Sequence, residues 1–167
     1  MDHVGSLDAL HAALPQAEVL ISERDARFLR GDMSLDAAER SMQLRGSYLT
    51  AKTPPTRLLR DGDSVGSLRV IATPGHTPGH IALFDPREGD VIAGDAFQTH
   101  GGLAVSGVLR WRFPFPAMAT WSRTAALASA RRLRALLPGR LAVGHGAVLD
   151  QPLALMDEVI DAAARHT

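Results

Sequence analysis

Cysteine is absent from all 167 residues. Neither a disulfide nor a thiolate metal site can form, so any bound cation must be held by imidazole nitrogens and carboxylate oxygens. Net charge is absent too: eighteen Lys and Arg balance eighteen Asp and Glu, which leaves no field to gather nucleic acid or an anionic membrane. Lys52 is the one lysine, and the other cations are arginine, which reads with the abundant Ala and Leu as genome-wide bias. No apolar run nears the ~20 residues of a membrane span. The chain does not open on a basic segment followed by an apolar stretch, so no signal peptide is expected. These absences point to a soluble, cytoplasmic protein with a small-molecule substrate and neither a nucleic-acid nor a membrane partner. What is present is globular in character, 46% hydrophobic and 22% charged, and residues 1–167 suit a single domain with its own core.

Periodicity divides the chain. Leu7, Leu10, Ala13 and Leu14 share a helical face, with Ser6 as cap and Pro15 as stop, and His11 is expected to be exposed on it. Val19-Leu20-Ile21 reads as a short strand, followed by a helix from Ser22 to about Leu29. Ser34 and the spacing of Leu35, Ala38, Met42 and Arg45 predict a helix over 34–45, and 46–56 is a loop. Strand signals follow at 57–60, 68–72, 81–84 and 91–93, separated by turn residues. Residues 97–120 lack a clear period. Thr120 or Ser122 opens a helix to about Leu137, stopped by Pro138-Gly139. Leu141-Ala142-Val143 is a last strand, and Pro152 begins a helix to about Ala164. Interspersed helices and strands predict a layered α/β domain.

Three strand-to-loop junctions end in metal-competent side chains. His76 lies in Thr73-Pro74-Gly75-His76-Thr77-Pro78-Gly79-His80, where proline stiffens the backbone and glycine lets it approach closely. Asp95 terminates Val91-Ile92-Ala93-Gly94, and an unpaired carboxylate there is costly to desolvate. His145 follows Leu141-Ala142-Val143-Gly144. Each alone could be a turn or capping residue. Three together are unlikely to be chance, and all are expected along one edge of a sheet. His80 is expected behind the ligands, holding the loop. His100 is a weak candidate for substrate contact, and His166 belongs to the tail.

Asp2-His3-Val4-Gly5-Ser6-Leu7, the 73–80 segment, Gly94-Asp95-Ala96 and Gly144-His145-Gly146 together resemble the metallo-β-lactamase-fold hydrolase superfamily over essentially the whole chain. The resemblance implies an αββα sandwich with a metal site at one edge. Asp2 and His3 match the last two residues of the family's His-x-His-x-Asp-His motif, so its first two histidines, and the strands before them, are expected to be missing from an N-terminally truncated chain. By the same resemblance Asp2, His3 and His145 form one metal site, Asp95 bridges to a second, and His76 belongs to that second site. Asp2 is also assigned a catalytic role. The implied cofactor is Zn2+, two ions in an intact parent and at most one here, with iron or manganese admitted by the carboxylate-rich set. The implied chemistry is attack of metal-activated water, its pKa lowered toward ~7, on a carbonyl. Without a cysteine ligand the chain looks closer to the hydroxyacylglutathione-hydrolase and lactonase branches, with an ester, thioester or lactone as substrate.

Five of the eight aromatic residues fall within 97–121: Phe97, Trp111, Phe113, Phe115 and Trp121. They read equally as a wall over the metal edge or as packing for the helix that follows. Trp111 and Phe113 are the expected substrate contacts, while Arg110 and Arg112 could hold a substrate carboxylate or simply face solvent. The competing reading is a non-catalytic remnant, stable as a homo-oligomer that covers an exposed sheet edge.

Overall fold

The computed structural model describes residues 3–40 and 42–166. In chain order its elements are α1 (Leu7–Ala13), β1 (Leu20–Ser22), α2 (Ala26–Leu29), β2 (Arg57–Leu59), β3 (Ser64–Val65), β4 (Leu68–Ala72), β5 (Ile81–Asp85) and β6 (Asp90–Ile92). A single 3₁₀ turn, Gly94–Ala96, leads to β7 (Phe97–Gln98), β8 (Ala104–Val105), α3 (Phe115–Ala119), α4 (Arg123–Arg134), β9 (Arg140–Ala142), β10 (Leu149–Asp150) and α5 (Leu153–Ala164). This is an α/β fold.

Six strands form the main sheet in the order β10-β9-β6-β5-β4-β3. Every neighbouring pair is antiparallel except β6 and β9, which run parallel. The register aligns Ile71 with Ala82, Phe84 with Val91, Val91 with Leu141 and Leu141 with Leu149. With side chains alternating across a strand, these residues share one face. Helices α4 and α5 cover that face, burying Ala126, Leu127, Ala130 and Leu133 from one and Met156, Ile160 and Ala163 from the other. On the opposite face Leu83 pairs with Ile92, and Ile92 remains 44% exposed although β6 is an inner strand. Two small sheets complete the fold: β1 with β2 in parallel, and β7 with β8 antiparallel.

Topology sets the position of the site. Strand β5 is antiparallel to both β4 and β6, and β6 is parallel to β9. The C-terminal ends of β4, β6 and β9 therefore emerge at one edge of the sheet, and from them follow the 73–80 loop, the 94–96 turn and Gly144-His145.

Two sequence expectations fail. Residues 34–45 form no helix among the described residues. Leu35 and Met42 are half-buried while Ala38 and Arg45 are exposed, so no apolar face reaches the core, and a short helix without tertiary burial is marginal in water. The Glu39 carboxylate instead accepts from the Arg24 guanidinium at 2.6 Å and from the Asp36 backbone N–H at 2.9 Å, while Arg24 also donates to the Ser34 carbonyl. His11, expected to be exposed, is half-buried.

Candidate metal centre

The Asp95 carboxylate, 7% exposed, is the point of convergence. His3 Nε2 lies 2.9 Å from its Oδ2, His76 Nε2 3.4 Å from the same oxygen, and His145 Nε2 3.5 Å from Oδ1. Ligand atoms of His3, Asp95 and His145 all fall within 4.8 Å of one another. Burial by itself would raise the Asp95 pKa. The hydrogen bond from His3 and the charges of His76, His3 and His145 outweigh it and hold the carboxyl below its ordinary 3.8. Asp95 Oδ1 is buried and accepts no hydrogen bond. A divalent cation would satisfy that orphaned oxygen, and a nitrogen-and-oxygen donor set without sulfur suits zinc, iron or manganese. The residues present therefore fit a metal. Asp2, assigned both a ligand and a catalytic role from the sequence, lies outside the described residues.

Local structure fixes each member. Gly144 packs against Asp95 so closely that an added Cβ would run into Oδ1. His80 stands behind the carboxylate rather than among the donors. Its Nε2 accepts the Asp95 backbone N–H at 3.0 Å, and its Nδ1 lies 2.8 Å from Thr73 Oγ1. A nitrogen that accepts carries no proton, so the ring is neutral with its proton on Nδ1. Desolvation, and then the charge of His76, pushes its pKa down to about 4.

The loop carrying His76 is anchored on both sides. Backbone N–H groups of Trp121 and Ser122 donate to the carbonyls of His76 and Gly75 at 3.0 and 2.9 Å. Gly75 has φ 150°, and a Cβ there would meet Ala126 in the first turn of α4. On the opposite side the Asp25 carboxylate accepts from Thr77 Oγ1 and, at 2.8 Å, from the Gly79 N–H. Desolvation raises the Asp25 pKa, against the lowering effect of those two hydrogen bonds. Ser106 Oγ makes a long 3.4 Å contact with His76 Nδ1 and pairs at 2.8 Å with Thr120 Oγ1. Asp25, Ser106 and Thr120 carry no motif in the sequence, since only the folded loop brings them to His76.

A cavity of about 770 Å3 opens over this edge. Its apolar walls include Phe28, Tyr48 and Leu49 on one side and Phe113, Pro116 and Met118 on the other. The Phe113 ring packs 5.1 Å from the His145 ring and 5.0 Å from that of His100. His100 thus backs Phe113 and does not line the cavity. Trp111, expected to touch substrate, is 92% exposed and outside it. The reason is a turn closed by the Phe113 N–H on the Arg110 carbonyl, which projects Trp111 and Arg112 into solvent from its central positions. Arg110 is tied to the Leu103 carbonyl. Phe97 is fully buried in the core, so the aromatic segment serves as both wall and packing. The other half of the wall, Tyr48 and Leu49, comes from the 46–56 loop, in which the sequence shows no signal.

Comparison with known proteins gives the family. Residues 1–145 match the family description "Metallo-beta-lactamase superfamily". The chain is 48% identical over 165 residues to YobT of Bacillus subtilis (strain 168), aligning 98% of this chain with 71% of that protein. It is 31% identical over 165 residues to "Probable metallo-hydrolase YflN" of the same organism, at 87% of this chain and 60% of that protein. Among solved structures, TTHA1623 in a di-iron-bound form superposes with a TM-score of 0.63 at 31% identity, over 92% of this chain and 69% of that one. On the match over residues 1–145 and the shared fold, the chain belongs to the metallo-beta-lactamase superfamily.

Proposed function

We propose that the protein is a metal-dependent hydrolase in which His3, His76, Asp95 and His145 hold a divalent cation facing the apolar cavity, and that its substrate is an ester, thioester or lactone. The observation that carries this reading is the buried Asp95 Oδ1, which accepts no hydrogen bond, with three imidazole Nε2 atoms around its carboxylate. A divalent ion in such a set supplies a Lewis acid and a water of lowered pKa. The chain's own groups supply the rest. Neutral His80 fixes the Asp95 backbone, Phe113 shields His145 from solvent, and the cavity walls exclude water from an acyl group. The di-iron form of TTHA1623 and the name of YflN support a metallo-hydrolase. Zinc is proposed as the ion, with iron or manganese as substitutes, at about one ion per chain given the donors among the described residues.

A second reading has an observation of its own. Ile92, 44% exposed on an inner strand, leaves part of an apolar sheet face uncovered, although Val70 on the same face is buried, which suits a non-catalytic protein that associates with itself. One experiment separates the two: elemental analysis of the purified chain, together with turnover of ester, thioester and lactone substrates, for the wild type and Asp95→Asn. The hydrolase reading expects bound metal and turnover in the wild type, with turnover falling on the order of 100-fold or more in the variant. A metal-free wild type without turnover, associating as its concentration rises, overturns it.

A further inference from the structure

The walls and charges of the cavity indicate what kind of carbonyl compound enters it, an inference that rests on the hydrolase reading above. We propose that the substrate carries an anionic group, carboxylate or phosphate, at a distance from the scissile carbonyl, and that Arg45 receives it at the cavity mouth.

Of the ionisable groups that line the cavity, all but one are engaged within the protein or uncharged. His3, His76, His145 and Asp95 form the metal centre, and His80 is neutral behind it. Asp25 is occupied by Thr77 and Gly79. The Tyr48 hydroxyl, its pKa pushed up to about 12 by burial and the charge of Asp25, stays uncharged. Arg45 remains, an exposed guanidinium that makes no hydrogen bond or ion pair among the described residues. Some arginines of the fold are ion-paired, such as Arg24 with Glu39, Arg60 with Glu23, Arg132 with Asp61 and Arg134 with Asp157. Others, such as Arg30, Arg112 and Arg131, are without a carboxylate among the described residues as Arg45 is, but they do not line this cavity. A cation left without a carboxylate beside an apolar cleft is available to an anionic ligand.

Its location is set by the backbone. Arg45 begins the strap 45–49 that forms one wall, and the next residue, Gly46, has φ 86° and sits against Ala119 of α3, where an added Cβ would approach the Ala119 Cβ to 3.0 Å. This contact seats the strap on the opposite wall and holds Arg45 at the rim. Guanidinium is weakly hydrated and matches carboxylate and phosphate in a bidentate manner, so it selects for both charge and shape. Arg110 and Arg112, which the sequence offered for this task, lie outside the cavity.

The test uses the metal-loaded full chain and three matched aryl esters: one neutral, one bearing a remote carboxylate and one a remote phosphonate. The expected result is a kcat/KM for one or both anionic esters on the order of tenfold above the neutral one, expressed in KM. Arg45→Ala should collapse that ratio toward one and Arg45→Lys retain part of it, and the stronger of the two anionic esters identifies the group. Equal KM values for all three in the wild type, or a ratio that survives Arg45→Ala, overturn the proposal. If the wild type turns over none of them, the hydrolase reading fails by itself. Calorimetric binding of the corresponding non-hydrolysable amides then decides the Arg45 assignment: binding that is anion-dependent and lost in Arg45→Ala upholds it, and indifference to charge refutes it.

Discussion

At His80 two neighbours decide where the proton sits. The Asp95 N–H donates to Nε2 and Thr73 Oγ1 lies against Nδ1, while burial of the ring, and then the charge of His76, lowers its pKa to about 4 from its ordinary 6.5. Between those two values the unfolded chain binds a proton that the folded chain does not. Stability therefore declines as pH drops from about 6.5 to about 4 and levels off below, by roughly 3 kcal/mol in total. In the metal-free protein, urea denaturation at pH 7 and pH 4.5 should show this loss in the wild type and much less of it in His80→Gln. An equal loss in both would remove the proton argument. His80 was legible in the sequence as a partner of the loop, because it closes the segment of Pro74-Gly75 and Pro78-Gly79 that carries His76 and a ligating histidine needs support behind it, whereas its bond to Asp95 depends on a strand pairing that no local pattern announces. Trp111 shows the converse: aromatic character nominated it for the cavity, and one turn directed it outward.

Among the elements, α4 illustrates how helix termini serve the site. Ser122 has φ −139° and ψ 113°, and its Oγ accepts the Ala125 N–H at 3.2 Å, while its own N–H holds Gly75 in the loop that carries His76. Ser122→Ala should cost about 0.5–2 kcal/mol in thermal or denaturant unfolding. Ser6, also in an N-cap position, makes no such side-chain bond, so Ser6→Ala should change stability by no more than about 0.5 kcal/mol. Equal losses would show that the cap is not what anchors α4. The sequence identified both serines by type and could not distinguish them, because the capping bond depends on the backbone conformation at each, extended at Ser122 and φ −107°, ψ 4° at Ser6, which residue type does not encode. The same limit explains residues 34–45, where helical spacing was present and nothing was available to bury it.

On the scale of the whole molecule, stability is concentrated on one face of the main sheet. Leu133 is fully buried between α4 and that face, whereas Leu155 on α5 is 46% exposed. Leu133→Ala should cost about 2–5 kcal/mol, and Leu155→Ala no more than about 1 kcal/mol, measured as shifts in the urea midpoint at constant slope. Similar values for the two would contradict the one-sided core. The positions of β1, β2, β4, β5, β6 and β9, the helices α4 and α5 and the places of His76, Asp95 and His145 after strands were legible in the sequence, because alternation, caps and Pro-Gly turns are local signals, whereas the two-residue strands β3, β7, β8 and β10 and the short α3 were not, being too brief to show a period. Tertiary structure alone decided that β6 and β9 run parallel and bring Asp95 beside His145, that Asp25 and Ser106 brace the His76 loop, and that an unmarked loop supplies Arg45 and Tyr48 to the cavity. Those contacts join residues tens of positions apart, and the free energy that selects them comes from burying one sheet face as a whole, which no short window of sequence contains.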